Sequence, residues 1–393
     1  MNMSSDLLVV GAGPAGLALA CAAADAGLRV TVLEQQPRAA VADPGDDGRE
    51  IALTHRGRQV LQRLGLWERL PAGIPSPLRE ARVADGANPA TLRFGYAGSD
   101  DPLGWLVPNR ALRAACWAGA MARKCVHVIT DTAVKSFSRH AEHATLTLAD
   151  DSPMHAPLVI AADSRFSGTR RLAGIGAALR DFGRSVIVAP VAHEQPHRGI
   201  AWECFRYGHT LALLPLSGRW SSAVVTVPSD AVSEWLALDG AAFAARVQAA
   251  LGGVLGALSA AGPRHHYPLV GVYAHRFVGE RFALVGDAAV GMHPVTAHGY
   301  NFGLYGVEAL VRELKRHGLG EGLPRALAAY EAEHRRTTWP IYHGTNLVVS
   351  LFTDERPLAR RLRPAVLALA EHAPGLSRLV HRAIERQLRA LPA

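Results

Sequence analysis

Three glycines near the start of the chain, Gly11, Gly13 and Gly16, stand at the spacing that lets a strand-to-helix turn close over a pyrophosphate. The first makes the tight turn and the second lets the backbone approach the phosphates. The third, beside Ala15, lets helix and strand pack closely. Free N–H groups and the positive dipole end of the following helix complete an anion site. Glu34 ends the next apolar run, where a carboxylate can accept hydrogen bonds from ribose hydroxyls and repels a 2′-phosphate. The site therefore suits FAD or NAD better than NADP. An ordinary glycine turn in a βαβ unit is the competing reading, and Glu34 argues against it.

Two further acids close apolar runs. Asp287 follows Phe282–Val285 in Gly286-Asp287-Ala288-Ala289, with Pro294 and Gly299-Tyr300-Asn301-Phe302-Gly303 after it. Asp163 follows Leu158–Ala162. Either could be a loop cap, but the downstream glycines favour a cofactor loop for Asp287. His298 beside that loop reads as a structural hydrogen-bonder before a proton shuttle. His193, His197, His265 and His266 lack a carboxylate or Cys at ligand spacing, so no metal is expected. Trp105, Trp202 and Phe205 read as core packing before cavity lining. No nucleophile or carboxylate pair stands out, as expected where a cofactor carries the chemistry.

These residues need strands that end at one edge. Leu7–Val10, Arg29–Leu33, Leu158–Ala162 and Phe282–Val285 read as buried strands of one layer scattered along the chain, with a helix to about Ala26 stopped by Gly27. Ile187–Val191, Ile200–Arg206, Thr210–Leu214 and Ser222–Val227 alternate with turn residues and predict a mostly antiparallel sheet, to which 75–107 adds strands. Residues 241–258 read as helical, as does everything after Gly299, with breaks near Pro324, Pro340, Pro357 and Pro374. The predicted fold is α/β: a Rossmann-like FAD-binding domain (1–74, 108–180 and 276–320), an inserted, mostly antiparallel β-sheet substrate domain (75–107 and 181–275) and a helical C-terminal region (321–393).

Composition sets the outer limits. The 393 residues, 49% hydrophobic and 19% charged, exclude a disordered, collagenous or coiled-coil chain. The net charge of +8 is carried almost wholly by arginine, with lysine only at Lys124, Lys135 and Lys315. No basic run with interleaved aromatics appears, which argues against nucleic acid. Cys21, Cys116, Cys125 and Cys204 form no CxxC pair and read as reduced and mostly buried, with the cytoplasm as default compartment. The apolar stretch 7–28 follows Asp6 without a basic leader and is broken by glycines, so it reads as neither signal nor anchor. The expectation is a soluble or peripheral protein.

With these motifs in place the chain resembles, over essentially its whole length, the flavin-dependent aromatic hydroxylases of the para-hydroxybenzoate hydroxylase fold. It looks most like the ubiquinone-biosynthesis hydroxylases of the UbiH/UbiF/UbiM group. The resemblance implies that Gly11–Gly16 and Glu34 hold the ADP half of FAD. Arg49, in Arg49-Glu50-Ile51-Ala52-Leu53, is implied near the flavin and substrate cavity, and Arg110, after Asn109, near the pyrophosphate. Asp163 falls in the family's middle motif, and Asp287 after Gly286 is implied to bind the ribityl chain. Pro294, His298, Gly299 and Asn301 are implied beside the isoalloxazine ring. Tyr330-Glu331, Arg335-Arg336, Asn346-Leu347, Leu351-Phe352 and Leu362-Arg363 match the tail of the ubiquinone hydroxylases. Ser164, Val290 and His298 depart from the family's usual Gly, His and Gln.

The implied chemistry is reduction of FAD by NAD(P)H, addition of O2 to give a flavin C4a-hydroperoxide, and oxygen transfer to the ring of a prenylated phenol or quinol, of the demethoxyubiquinol type among others. The implied setting is a ubiquinone-biosynthesis complex, with peripheral contact to the inner membrane. Arg360, Arg361, Arg363, Arg378, Arg382, Arg386 and Arg389, interleaved with leucines, could serve that contact, although a solvated basic face explains them as well. Three alternatives stand beside this reading: a monooxygenase of a small soluble phenol, a flavin reductase of prenyl chains, and a flavoprotein scaffold. An NAD-linked dehydrogenase leaves Gly286-Asp287 without a place.

Overall fold

Five parallel strands come together from widely separated parts of the chain. In the computed structural model, which describes residues 5–85, 91–95, 100–205, 208–293 and 298–353, they form a six-stranded sheet with a short hairpin strand at one edge. The order is Val278–Gly279, Phe282–Leu284, Leu158–Ala161, Leu7–Val10, Val30–Leu33, Val126–Ile129. Leu7–Val10 pairs in parallel with both Leu158–Ala161 and Val30–Leu33. Leu7, Leu8 and Val9 are each fully buried, so both faces of this strand are covered, which explains the unbroken apolar runs. The scattered layer expected from the sequence is present. Pro14 opens the helix Pro14–Asp25, where its missing N–H has no helical partner to lose, and Gly27 follows with φ 88°. Val134–Arg139, Ala144–Leu148 and Pro153–Ala156 form a separate antiparallel meander.

The larger sheet runs in the order Val290–Gly291, His265–Ala274, Ala177–His193, Trp220–Pro228, Thr210–Pro215, Ile200–Phe205, Glu80–Asp85, Thr91–Gly95, with Leu258–Ala260 also on Ala177–His193. Its pairings are antiparallel except for Ile200–Phe205 with Glu80–Asp85. One face is packed: Leu211, Leu213, Ala223 and Val225 bury against Trp235, Phe243 and Val247 of the helices Val232–Ala237 and Gly240–Leu251. Cys21, Cys116 and Cys204 are buried, Cys125 is half-buried, and all four are free thiols.

Three expectations change. The helix predicted over 241–258 stops at Gly252, whose φ of 68° is left-handed, and the chain then enters the strand Leu258–Ala260. Within 75–107, Ser76–Leu78 and Gly104–Pro108 do not join the large sheet. Gly104–Pro108 lies between Ser76–Leu78 and Glu50–Leu53 in a small sheet of their own, where a Cβ on Gly104 would lie 2.5 Å from the Leu53 carbonyl oxygen. The break expected near Pro324 is present: one helix ends at His317 and the next begins at Leu323, with Pro324 in its first turn. Pro340 lies inside that helix without ending it, because packing on either side, Tyr273 against Tyr342 and the Tyr273–Thr338 hydrogen bond, outweighs one lost backbone bond. Pro294, Arg206, the prolines at 357 and 374 and the arginines from 360 onward lie outside the described residues.

The long C-terminal helix is clamped to the six-stranded sheet. Tyr330, fully buried, donates its hydroxyl to the Leu284 carbonyl at 2.5 Å. Glu331 accepts from the Phe277 N–H at 2.7 Å, and Arg335 donates to the His275 carbonyl at 2.9 Å. The Tyr330-Glu331 and Arg335 matches thus hold in place the strand that leads into Gly286-Asp287. Beside them His334 is buried, stacked on Tyr330 with ring centroids 5.6 Å apart. Burial, and secondarily the Arg56 charge, push its imidazole down to about 3. The folded protein therefore refuses a proton that the unfolded chain takes up at about 6.5. Stability is full above that value and falls as pH drops toward 3, by about 1.4 kcal/mol per unit for one such group. His334→Phe is expected to flatten this acid limb, read as a smaller loss of Tm between neutral pH and about pH 5.

Candidate active site

Every acid singled out in the sequence lies at the carboxyl end of a strand of the six-stranded sheet, where ligands of open α/β sheets bind. Gly11 has φ 107°, and a Cβ there would lie 2.6 Å from the Ala162 carbonyl oxygen; on Gly16 it would lie 2.0 Å from the Gly11 oxygen. A Cβ on Gly13 would meet no atom within 4 Å. Two of the glycines are thus demanded by the protein's own backbone, and the middle one faces open space. Glu34 accepts from the Ala12 N–H at 2.7 Å and from the Gln36 N–H at 2.9 Å, so it braces the glycine turn. Asp163 accepts from the Thr169 N–H at 3.2 Å through one oxygen, while the other is buried with no partner among the described residues.

The second motif touches the first. Gly286 has φ 66°, and a Cβ there would come within 3.0 Å of Ala15; on Gly303 it would come within 3.4 Å. Ala15 is accordingly a packing residue between the two loops. Asp287 pairs with Arg165 at 3.0 Å, and Arg165 also donates to the Val270 carbonyl of the large sheet at 3.1 Å. Nothing in the sequence around Arg165 points to this partner, which lies 122 positions away.

Gly299 opens the helix Gly299–His317 and, as at Gly13, a Cβ built there meets no atom of the described residues within 4 Å. His298 precedes it, buried, with its ring 5.4 Å from Phe302. The Asn301 side chain is fully buried and bound to protein: its oxygen accepts from the Thr54 N–H at 3.1 Å and its nitrogen donates to the Ala52 carbonyl at 2.8 Å. It locks the helix to the Arg49–Leu53 segment, so only its backbone faces outward chemistry. Tyr300 donates to the Pro14 carbonyl at 3.5 Å.

Arg49 is half-exposed, pairs with Asp47 at 2.6 Å and lies over the Tyr267 ring at 5.3 Å. Asn109 donates to the same Asp47 at 2.7 Å, and Tyr267 donates its hydroxyl to the Asp47 carbonyl at 2.6 Å. Arg110 follows, exposed, in the first turn of the helix Asn109–Met121. Two perturbed groups here were missed in the sequence. Glu50 has one buried oxygen without a partner among the described residues; burial, then the Asp46 and Asp47 charges, push its carboxyl up to about 8. His293 packs against Phe182 with centroids 5.0 Å apart, and burial followed by the Arg165 charge pushes it down to about 4. An acid inside an otherwise apolar strand and a histidine before Pro294 were the available signals.

The open face of the large sheet covers this region. A Cβ on Gly48 would lie 2.8 Å from His265 and 3.6 Å from Val188. Across the sheet, Val224, Ala212 and Leu214 of this face are half-buried, whereas Leu211, Leu213 and Ala223 of the opposite face are 0–1% exposed. The arrangement is a dinucleotide cradle with an unpartnered acid, a helix N-terminus and an apolar roof. It fits a flavin dinucleotide beside an aromatic ring. Among the described residues no helix is long and apolar enough to cross a membrane.

Residues 4–345 match the FAD binding domain family. The chain is 41% identical over 388 residues to the ubiquinone hydroxylase UbiM of Neisseria meningitidis, covering 97% of this chain and 84% of that protein. It is 37% identical over 382 residues to the ubiquinone hydroxylase UbiL of Rhodospirillum rubrum, covering 96% and 89%. Among solved structures, p-nitrophenol 4-monooxygenase PnpA from Pseudomonas putida DLL-E4 superimposes with a TM-score of 0.78 over 99% of both chains at 18% identity, a likeness of fold. The motifs, the fold and these relatives agree: the chain belongs to the FAD-dependent aromatic hydroxylase family.

Proposed function

We propose that the protein hydroxylates the ring of a prenylated phenol or quinol in ubiquinone biosynthesis, using O2 and NAD(P)H. The observation that carries this reading is the 41% identity to a ubiquinone hydroxylase over 97% of the chain, which takes in every element of the site. Bound FAD supplies the activation of oxygen. The chain supplies binding, orientation and exclusion of water. N–H groups at the start of Pro14–Asp25 face the pyrophosphate across the space at Gly13, and Glu34 reaches the ribose. Arg110 stands at the phosphate side. Asp163 and Asp287 take hydroxyls of the linking chain. Arg49 and His298 flank the flavin ring, and the helix N-terminus at Gly299 and Asn301 directs its positive end there. The apolar roof keeps water from the reacting ring.

On this reading the FAD-binding domain comprises 1–74, 108–180 and 276–320, the substrate domain 75–107 and 181–275, and the helical region 321–393. The small sheet that joins Glu50–Leu53 to Ser76–Leu78 and Gly104–Pro108 lies at their seam. A prenyl tail partitions into lipid, so the protein works from the cytoplasm at the inner membrane surface, alone or within a ubiquinone-biosynthesis complex.

Purified protein is expected to be yellow and to release FAD, not NAD, on heating. Expressed in a bacterium lacking its own ubiquinone ring hydroxylases, it should restore ubiquinone and remove an under-hydroxylated prenyl intermediate, and Asp287→Ala should not. Failure to rescue any such strain, together with hydroxylation of a soluble aromatic acid by the pure protein, overturns the quinone assignment and leaves the hydroxylase class standing.

A further inference from the structure

Glu203 places a carboxylate on the half-open face of the large sheet, in one row with Val188, Val224, Ala212 and Val83. Strand pairing sets a single row across it: His265 opposite Val188, Val188 opposite Val224, Val224 opposite Ala212, Ala212 opposite Glu203. Residues directly opposite each other share a face, so Glu203 points to the side on which Val188 lies against Gly48. Its neighbours Trp202 and Cys204 point the other way, into the core under the helices. Three strand spacings separate Glu203 from Val188, ~14 Å, about the span of a substituted aromatic ring plus the reach of a glutamate. The row thus starts beside the Arg49 segment, reaches Glu203 and runs on through Val83 to Leu92.

Nothing among the described residues neutralises this acid. Its carboxylate makes no hydrogen bond or ion pair, and no arginine or lysine stands in its row or in the two flanking rows, which run through Val186 with Thr226 and through Pro190 with Ser222. Desolvation alone pushes the carboxyl up to about 7. An unpaired acid on an apolar sheet face costs stability unless a donor arrives to satisfy it.

We propose that Glu203 is a specificity-determining residue of the substrate cavity: its carboxylate accepts a hydrogen bond from a neutral hydroxyl at the end of the ring remote from the flavin, and turns away rings that carry a carboxylate there. The inference rests on the aromatic hydroxylase reading above and deepens it. An aromatic acid calls for a cation at this position, and the chain places a like charge instead, which costs several kcal/mol in a desolvated site. A phenol or quinol hydroxyl meets the acceptor it needs.

The test uses the full-length, flavin-loaded protein and equilibrium calorimetry without NAD(P)H, at about pH 8.5, where the carboxyl is ionised. The probes are geranylphenol, its methyl ether and 4-hydroxybenzoate. The wild type is expected to bind the phenol at least about tenfold tighter than the ether or the benzoate. Glu203→Gln, which keeps an acceptor and removes the charge, should retain the phenol and gain at least about tenfold for the benzoate. Glu203→Ala should lose the preference for phenol over ether. FAD content and Tm identify a variant that has merely misfolded, and the near-isosteric Gln variant guards against that. If the wild type prefers the phenol and both variants bind all three probes as it does, the role of Glu203 is overturned while the hydroxylase reading stands. If the wild type binds neither prenylated probe, the substrate reading itself fails, and the role of Glu203 with it.

Discussion

Gly13→Ala is expected to give a protein that folds like the wild type and binds FAD at least about tenfold more weakly, a loss of about 1.4 kcal/mol or more. Gly13 has φ −70°, which alanine adopts without strain, and its added methyl meets no atom of the described residues within 4 Å. Whatever that methyl disturbs therefore belongs to the ligand. Gly16→Ala is the opposite case. Its Cβ would stand 2.0 Å from a backbone oxygen, which cannot swing aside as a side chain can. The turn must open or the helix must move, at a cost on the order of 3–5 kcal/mol against a total stability of about 5–15. Tm of the flavin-free protein and FAD titration by fluorescence separate the two. Wild-type FAD affinity in Gly13→Ala would contradict the assignment of that space to the pyrophosphate.

Asp287→Ala is expected to raise the Kd for FAD by about 10–150-fold, the loss of one hydrogen bond to a charged group at roughly 1.5–3 kcal/mol. The mutation also frees Arg165, which keeps only the Val270 carbonyl and leaves a cation where an anion-bearing pair had stood. Asp163→Ala should weaken FAD less. That residue accepts from the Thr169 N–H in the first turn of the short helix Gly168–Leu172, so its removal costs about 1 kcal/mol of stability. Equal dissociation constants for the two variants would show that the two acids have been ranked wrongly.

Much of this site could be read from the residues because its signals are local. An apolar run followed by Gly11-x-Gly13-x-x-Gly16, or by Gly286-Asp287, ties strand, turn and ligand chemistry within a dozen positions. What stayed hidden depends on pairing over long distances. The Arg165–Asp287 bond follows from Leu158–Ala161 lying beside Phe282–Leu284, and nothing near Arg165 announces it. Trp202, read as a packing residue, does enter the core; Glu203, one position on, went unremarked because the face it takes is fixed only by register with Ala212. Asn301 was legible as part of the site but not in its manner of serving it, since its partners Thr54 and Ala52 come from the other end of the chain. Pro340 misled for a related reason: a local breaker signal yields to contacts that only the assembled molecule provides.

The hydroxyl of Tyr330 on the Leu284 carbonyl bears on how the protein is made. Phe282–Leu284 inserts beside Leu158–Ala161, which in turn lies against Leu7–Val10, so the site stays open until the late strand arrives. The helix that clamps this strand begins at Leu323, and its Glu331 and Arg335 grip the loop just before it. A chain still on the ribosome thus carries its glycine turn into the cytosol long before the second half of the cradle exists. Flavin loading is in effect a test of completed translation: a chain cut short before about residue 335 keeps the turn but lacks the clamp, and without the clamp it has no means of retaining the cofactor.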